Sequence, residues 1–504
     1  MDAWCDVHKC GPVKIRDLQN AGNVLQALET KNCRPCKTQA AIGEGMEQEI
    51  ETCPACRQDQ GLTNFELSKT QNAFAIRNLL PRKLDPPDTL NEVVVATLAL
   101  TGFQHVSRVG EMRGHSALLS ALVERWRPET HTFHLPVGEV TVTLEDVSYI
   151  LGFPVNGELV TGRSDSSHQF LVENCIACFG WEPGPDDHVL GKVNIAWVRR
   201  CRDTEPCDTQ ESLERDFHRI SGYSWGAASL AHLYRSLCRA SRYNCKEMDG
   251  PLMPLFVWAW ERMPFLAPIP RDQLGNIGVP LARRWSHWRR HTRYIRRPIA
   301  HFRRGLDDMG VDDFIWRPYM GVGISDGLAP HMIMCSTQSP LVSFECIEWH
   351  ATDRVRRQFG MQQLPPGPMF NLGRDHCKRL TGAQNHDWGQ IYSQWVNRWT
   401  FDRYNTLQLG EEIIDFHPLP VYYDWYTQQY GIHLRLSDRV PGEEIGSGLY
   451  DTGAVSMTDL GSGPDVSSGL DAGVSQGHPY NLRTQTAPPD KYTPSLYSKK
   501  APRK

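Results

Sequence analysis

The chain has 504 residues, 40% of them hydrophobic, and a formal net charge of −4. This length and composition predict two or three domains with a sizeable buried core. The charge excludes a protein that is basic throughout, so any contact with nucleic acid would have to come from a local basic patch.

The sequence gives no sign of membrane insertion or secretion. No apolar run approaches the roughly 20 residues that cross a bilayer, and the first four residues lack the basic start of a secretory signal. We therefore expect an intracellular protein without membrane contact. In a reducing compartment its 15 cysteines are expected to be buried thiols or metal ligands. Four lie among apolar residues and are predicted to be in the core: Cys175, Cys238, Cys335 and Cys346.

The N-terminal segment, residues 1–85, is rich in cysteine. Cys33-x2-Cys36 and Cys53-x2-Cys56 have the spacing of a structural zinc site with four thiolate ligands. Zinc at these cysteines is the one cofactor that the sequence predicts. The alternative is a poorly ordered leader that contains cysteines by chance, because the segment has few large hydrophobic residues.

A β-hairpin followed by a helix is predicted near residues 131–144. Residues 131–135 and 139–144 alternate between apolar and polar side chains, and Pro136-Val137-Gly138 between them favours a turn. Thr143 is the predicted N-cap of a helix whose first turn carries acids, and Gly152 is its predicted end.

Periodicity predicts further helices. Their ranges are 90–100, 118–126, 224–243, 251–260, 340–359 and 388–399. The fold class is therefore mainly α, with the early hairpin as the main sheet element. From residue 441 to residue 504 the chain has few large apolar residues, so we expect a disordered tail.

An acid-free stretch, residues 283–304 and called the arginine segment below, is the candidate nucleic-acid interface. Guanidinium groups bind phosphates, and interleaved aromatic rings can stack on bases. The candidate residues are Arg283, Arg284, Trp285, Trp288, Arg289, Arg290, Arg293, Arg296 and Arg297. The alternative is a solvated helix face that pairs with the aspartates at 307, 308, 312 and 313, with Trp285 and Trp288 anchoring the core.

A second polar group lies in the sequence ECIEWHATD, residues 345–353. Its Glu348, His350 and Asp353 could surround a divalent metal in a hydrolase. The alternative is that these side chains satisfy one another beside a buried Trp349, because no zinc-protease motif is completed. Glu139, Asp146 and Glu158 are interpreted as turn and capping residues.

Several ordered motifs resemble the plant mobile domain family, also called aminotransferase-like or MAIN-like. They are WRPETHTFHLP with the following GEVTVTLEDV, then YSWGAASLAHLY, DFIWRPY and ECIEWHATDRVRRQFG, and they cover roughly residues 90–440. The resemblance implies a transposon-associated, nuclear plant protein that acts in meristem maintenance, genome stability or silencing of transposable elements. Its implied partners are nuclear proteins and, through the arginine segment, DNA.

The enzyme names attached to this family find little support in the residues. An aminotransferase needs a Schiff-base lysine beside a phosphate-binding loop, and Lys192, Lys246 and Lys378 lack such a loop. The metal-binding motifs of the serine/threonine phosphatases are also missing from the sequence. We therefore expect a non-enzymatic protein, with a metal-dependent hydrolase derived from a mobile element as the alternative.

One departure from the family lies near residue 215, where relatives carry an apolar helix that this sequence lacks. A lost core helix would uncover the faces that it packed against. This gives a third alternative, a degenerate copy without selected activity.

Overall fold

The computed structural model describes residues 76–78, 98–99, 102–109, 112–189, 192–204, 220–242, 245–275, 278–286, 292–376, 385–408 and 412–436. Several predictions lie outside these residues. They are the zinc site at Cys33, Cys36, Cys53 and Cys56, the missing helix near residue 215 and the tail over residues 441–504. Of the helix predicted over residues 90–100, only residues 98–99 are described, and they are helical.

The fold is mainly α, as predicted. Its described helices are α1 (Ser116–Val123), α2 (Leu144–Leu151), α3 (His168–Phe179), α4 (Ile195–Thr204), α5 (Trp225–Arg242), α6 (Leu252–Arg262), α7 (Ala282–Ser286), α8 (Thr292–Ile295), α9 (Ile299–Asp307), α10 (Trp388–Ile391), α11 (Ser393–Asp402) and α12 (Pro420–Tyr430). Within the described ranges no helix combines the length and apolar character needed to cross a membrane.

The strands are short and pair into small sheets. They are β1 (Arg77–Asn78), β2 (Trp126–Arg127), β3 (Thr132–Leu135), β4 (Gly138–Val140), β5 (Arg163–Ser164), β6 (His188–Val189), β7 (Lys192–Val193), β8 (Glu247–Met248), β9 (Ser339–Ser343), β10 (Cys346–His350) and β11 (His386–Asp387). The largest described sheet has the antiparallel order β2-β3-β4.

The hairpin predicted near residues 131–144 is confirmed. Leu135 pairs with Gly138, so the turn consists of Pro136 and Val137. Gly138 has a φ of +118°, and a Cβ at this position would overlap the Arg357 guanidinium. Glycine is therefore required here by both conformation and space.

Helix α2 begins and ends where the sequence predicts. The Thr143 hydroxyl accepts a hydrogen bond from the Asp146 amide, and the Asp146 carboxylate accepts one from the Thr143 amide. This capping box satisfies two amide groups that the helix itself leaves without partners. Gly152 ends the helix in the left-handed conformation, with a φ of +74°.

The helix predicted over residues 340–359 is wrong. Strands β9 and β10 form an antiparallel hairpin there, followed by a 3₁₀ segment at Thr352–Phe359. Every residue of both strands is buried. Residues 347–350, Ile-Glu-Trp-His, alternate between apolar and polar side chains as a strand does, and the helix prediction overlooked this signal. Strand β9, Ser-Pro-Leu-Val-Ser, has no such alternation. The helix predicted over 118–126 also ends early, and Trp126 starts β2.

The main core cluster is built around α5, which contacts α2, β2, β9 and β10. A small second cluster contains Tyr422, Tyr426 and Leu434. The apolar spacing of residues 224–243 predicted α5 almost to the residue. All four cysteines predicted to be core residues are buried. Helix α5 therefore packs against the first sheet, through β2, and against the β9-β10 hairpin.

Candidate functional site

Four side chains that are distant in sequence converge in the interior: His131, Cys238, Glu348 and His376. One potential ligand atom from each, a nitrogen, sulfur or oxygen, lies within 4.8 Å of the other three. His131 lies between β2 and β3, Cys238 on α5, Glu348 at the centre of β10, and His376 directly after the turn Gly373–Asp375. We call these four residues the His–Cys–Glu cluster.

Glu348 is the centre of the cluster. Its Oε2 lies 2.7 Å from His131 Nε2, 3.1 Å from His376 Nε2 and 3.8 Å from Cys238 Sγ. Cys238 and Glu348 are fully buried, and the His376 side chain is 13% exposed. Two imidazoles, a thiol and a carboxylate are ligand types that zinc uses in proteins, so this cluster could hold a metal ion.

The backbone of His131 adopts an unusual conformation to reach the cluster. Its φ is +54°, in the left-handed region that residues other than glycine seldom adopt. Its carbonyl accepts a hydrogen bond of 2.8 Å from the Thr141 hydroxyl, and its amide donates one of 2.9 Å to the Arg127 carbonyl. The Tyr234 ring stacks on its imidazole, with centroids 5.6 Å apart. Surrounding contacts thus hold His131 in a conformation that costs free energy.

Glu348 differs from the other buried carboxylates of the described residues in the charge beside it. Each of the others pairs with an arginine: Glu124 with Arg303, Glu139 with Arg354, Asp146 with Arg262, Glu261 with Arg284, and Asp307 with Arg125. Within the described ranges, Glu348 has only histidines as ion-pair partners. Burial opposes ionisation of Glu348, but His376 and His131 outweigh burial and lower its pKa to about 2.

A small cleft lies beside the cluster. It has a volume of about 240 Å³, and His131, Asp353, Trp349, Phe370 and Arg398 are among its lining residues. The Trp349 and Phe370 rings stack with centroids 3.9 Å apart, and the Arg398 guanidinium lies 4.2 Å from the Phe370 ring centre. One wall of the cleft is therefore an aromatic surface covered by a cation.

The three residues of the hydrolase hypothesis do not form one open site. Asp353 lines the cleft, but Glu348 and His350 are fully buried. His350 lies 2.8 Å from the Thr337 carbonyl through Nδ1 and accepts from the Leu144 amide through Nε2. Glu348 and His350 also do not bond to each other as expected, because Glu348 pairs with His131 and His376 and His350 contacts the backbone at Thr337 and Leu144. Glu139 likewise lies in β4 with Arg354 and Thr132 as partners rather than in the turn.

The structure divides the arginine segment between interior and surface. Arg284 is buried and pairs with Glu261, and the Trp285 indole donates to the same carboxylate at 2.6 Å. These two residues hold α7 on α6 and are not available to nucleic acid in this structure. Trp288, Arg289 and Arg290 lie outside the described residues.

The remaining candidates lie at the surface. Arg283, Arg293 and Arg296 are exposed, and Arg297 is half-buried over the Tyr294 ring at 5.2 Å. The proposed pairing with downstream aspartates is not observed for the two that have partners: Asp307 pairs with Arg125, and Asp313 accepts from the Gly310 amide. Among the described residues, no carboxylate forms an ion pair with these four arginines.

The sequence did not reveal the His–Cys–Glu cluster. His131 falls within the motif WRPETHTFHLP and Glu348 within ECIEWH, but no fixed spacing links them to Cys238 or His376. Metal sites become visible in a sequence when their ligands are closely spaced, as in paired CxxC motifs. Here each ligand comes from a separate element, so only the folded chain brings them together.

Comparison with known proteins places the chain among plant relatives. The family model for the plant mobile domain matches residues 102–214 and 209–427. Among Arabidopsis thaliana proteins, the chain is 33% identical to a protein named Serine/threonine-protein phosphatase 7 long form homolog, over 71% of this chain and 30% of that protein. It is 29% identical to Protein MAIN-LIKE 1, over 65% of this chain and 69% of that protein. It is also 29% identical to Protein MAINTENANCE OF MERISTEMS, over 61% of this chain and 70% of that protein.

No solved structure matches the chain significantly. The two family matches overlap at residues 209–214. Together they cover well over half of the 504 residues. The chain belongs to the plant mobile domain family.

Proposed function

We propose that this chain is a non-enzymatic nuclear protein that acts in meristem maintenance, genome stability or silencing of transposable elements. It would do so by binding protein partners, with the arginine segment in contact with nucleic acid. The family membership and the name of the relative MAINTENANCE OF MERISTEMS support the biological setting.

The exposed arginines carry the nucleic-acid part of the proposal. Arg283, Arg293 and Arg296 extend into solvent, Arg297 lies beside them in sequence, and no described carboxylate neutralises any of the four. An arginine without an acidic partner keeps its full charge for a ligand. A protein with a net charge of −4 that concentrates such groups in one segment has a local site for an anion.

Two described aromatic residues of the arginine segment are buried, which limits how the segment can contact nucleic acid. Trp285 and Tyr294 lie in the core, so neither is free to stack on a base. The exposed candidate residues that the structure describes are arginines, whose guanidinium groups suit the phosphate backbone. We therefore expect binding to duplex DNA that depends on salt and is largely independent of base sequence.

The test is DNA binding by the full chain as a function of salt concentration. Arg283, Arg293, Arg296 and Arg297 are replaced together by alanine, and fluorescence anisotropy of a labelled duplex is measured. Each lost phosphate contact should reduce the slope of log K against log salt by about 0.9. The expected result is weaker binding with a flatter slope.

A matched control removes the same charge at scattered exposed positions, Arg108, Arg163, Arg200 and Arg435. This variant should keep most of the affinity. Equal losses in both variants would show a general charge effect, and unchanged binding in the first variant would remove the nucleic-acid proposal.

A further inference from the structure

We propose that His131, Cys238, Glu348 and His376 bind one zinc ion, which has a structural role in the middle of the domain. The site is independent of the zinc predicted at the N-terminal cysteines. It also does not depend on nucleic-acid binding by the arginine segment.

The distances within the cluster fit a tetrahedral ion. Zinc bonds of about 2.0–2.3 Å separate the corner atoms of a tetrahedron by about 3.3–3.8 Å. The Glu348 oxygen lies 3.8 Å from the Cys238 sulfur and 3.1 Å from the His376 nitrogen. To accept the ion, the Glu348 oxygen must move a few tenths of an ångström away from His131 Nε2, which is 2.7 Å away, and slightly away from His376 Nε2, which is 3.1 Å away. A thiolate with two imidazoles favours zinc over the hard cations calcium and magnesium.

The charge of the site also fits a divalent cation. A Cys238 thiolate and the Glu348 carboxylate together carry two negative charges, which one zinc ion neutralises. Every other buried carboxylate of the described residues pairs with an arginine, which neutralises its charge. The second oxygen of Glu348, Oε1, is buried without a hydrogen-bond partner among the described residues. A buried carboxylate in this state costs free energy that a bound cation would offset.

Neighbouring groups support the proposed ligands in the way that the surroundings of metal sites usually do. The Trp126 indole donates a hydrogen bond of 3.3 Å to the Cys238 sulfur, which favours the thiolate. The Tyr234 ring fixes the plane of the His131 imidazole. The left-handed backbone at His131 places that imidazole in the cluster, and a bond to zinc would compensate for the strain.

A structural role follows from the number and origin of the ligands. Four protein ligands complete the coordination of zinc and leave no position for a reacting water. They come from a loop, a helix, a strand and a second loop, so one ion would tie four distant segments together. Such an ion stabilises the folded state because the unfolded chain has no preformed site.

The first test measures metal content in the full-length chain. Cys33, Cys36, Cys53 and Cys56 are replaced by serine to remove the N-terminal candidate, and the purified protein is analysed by inductively coupled plasma mass spectrometry. We expect one zinc per chain. A chain that stays below one-tenth of an equivalent after incubation with zinc, or that holds a different metal, would overturn the proposal.

The second test identifies the ligands in the same background. After zinc is exchanged for cobalt, a thiolate-to-cobalt absorption band should appear and should be lost in Cys238→Ala. The matched control is Cys346→Ala, which removes another buried thiol two residues from Glu348 and should keep the band. A band that survives in Cys238→Ala would contradict the assignment.

Loss of a core ligand could prevent folding, so His376 provides an independent measurement. It is the least buried member of the cluster, and His376→Ala should fold. We expect at least a tenfold weaker zinc affinity for His376→Ala in chelator competition, and recovery of most of the affinity in His376→Cys. Equal affinities for the wild type and His376→Ala would exclude His376 as a ligand.

Discussion

Asp146 and Arg262 form a fully buried ion pair that joins the first turn of α2 to the last turn of α6. Arg262 donates to Asp146 Oδ1 from Nη2 at 2.8 Å and from Nε at 3.0 Å, and the Tyr319 hydroxyl donates to the same oxygen at 2.6 Å. Oδ2 accepts from the Thr143 amide and hydroxyl. One carboxylate therefore caps a helix and fixes the core around it.

Replacement of Asp146 by Asn should destabilise the fold strongly. The change keeps the size of the side chain but leaves the Arg262 charge buried without a counter-ion, which costs about 3–5 kcal/mol. Urea denaturation would measure the free energy of unfolding. The control Asp187→Asn breaks an exposed pair with Arg200 and should cost about 0–1 kcal/mol. Similar losses in the two variants would contradict this role of Asp146.

Gly138→Ala should test the tight contact at the start of β4. A Cβ there would meet the Arg357 guanidinium and the Tyr422 hydroxyl, and the φ of +118° strains any other residue. We expect a loss of about 2–3 kcal/mol in the free energy of unfolding. Gly327→Ala is the matched control, because nothing lies within 4 Å of its Cβ position. A stability equal to that of the control would show that the hairpin can shift to make room.

Glu139 should make stability depend on pH. Burial opposes its ionisation, but His134 and Arg354 outweigh burial and lower its pKa from the ordinary value of 4.5. The folded state then binds the proton less tightly than the unfolded state, so this stabilisation is complete above about pH 4.5 and is lost as the pH falls through the folded-state pKa.

The variant Glu139→Gln isolates this effect. At pH 7 its free energy of unfolding should be about 3 kcal/mol lower than that of the wild type, because Arg354 loses its buried partner. The difference from the wild type should shrink as the pH falls below 4.5, and chemical denaturation at several pH values would follow it. A difference that stays constant at all pH values would show that Glu139 is not ionised in the folded state.

Alanine substitutions at Arg284 and Arg293 should distinguish the structural role of the arginine segment from its role in binding. Arg284→Ala removes the partner of buried Glu261 and should cost about 2–3 kcal/mol in unfolding free energy, reduced by the nearby Arg271. Arg293→Ala, at an exposed position, should change stability by less than about 0.5 kcal/mol. It should instead weaken DNA binding. If Arg293→Ala reduced stability and only Arg284→Ala weakened DNA binding, the exposed arginines would not form the binding surface.

Local patterns predicted much of the framework. The spacing of apolar residues located α5, the Thr143 and Gly152 positions set the ends of α2, and the Pro136-Val137 turn placed the first hairpin. Each of these features depends on interactions between residues a few positions apart, so it can be predicted from the local sequence. The second hairpin was missed because β9, Ser-Pro-Leu-Val-Ser, has no apolar–polar alternation and the alternation in β10 covers only residues 347–350.

The sequence by itself determined the family, the helical class and the local caps and turns. Only the tertiary structure decided which polar groups meet. His131 and Glu348 are 217 positions apart and lie 2.7 Å from each other, and Arg284 and Trp285 bind Glu261 rather than face solvent. Such contacts depend on how whole elements pack, and packing brings together residues whose separation in the chain follows no fixed period. The candidate metal ligands are of this kind, which is why the fold had to assemble them before they could be recognised.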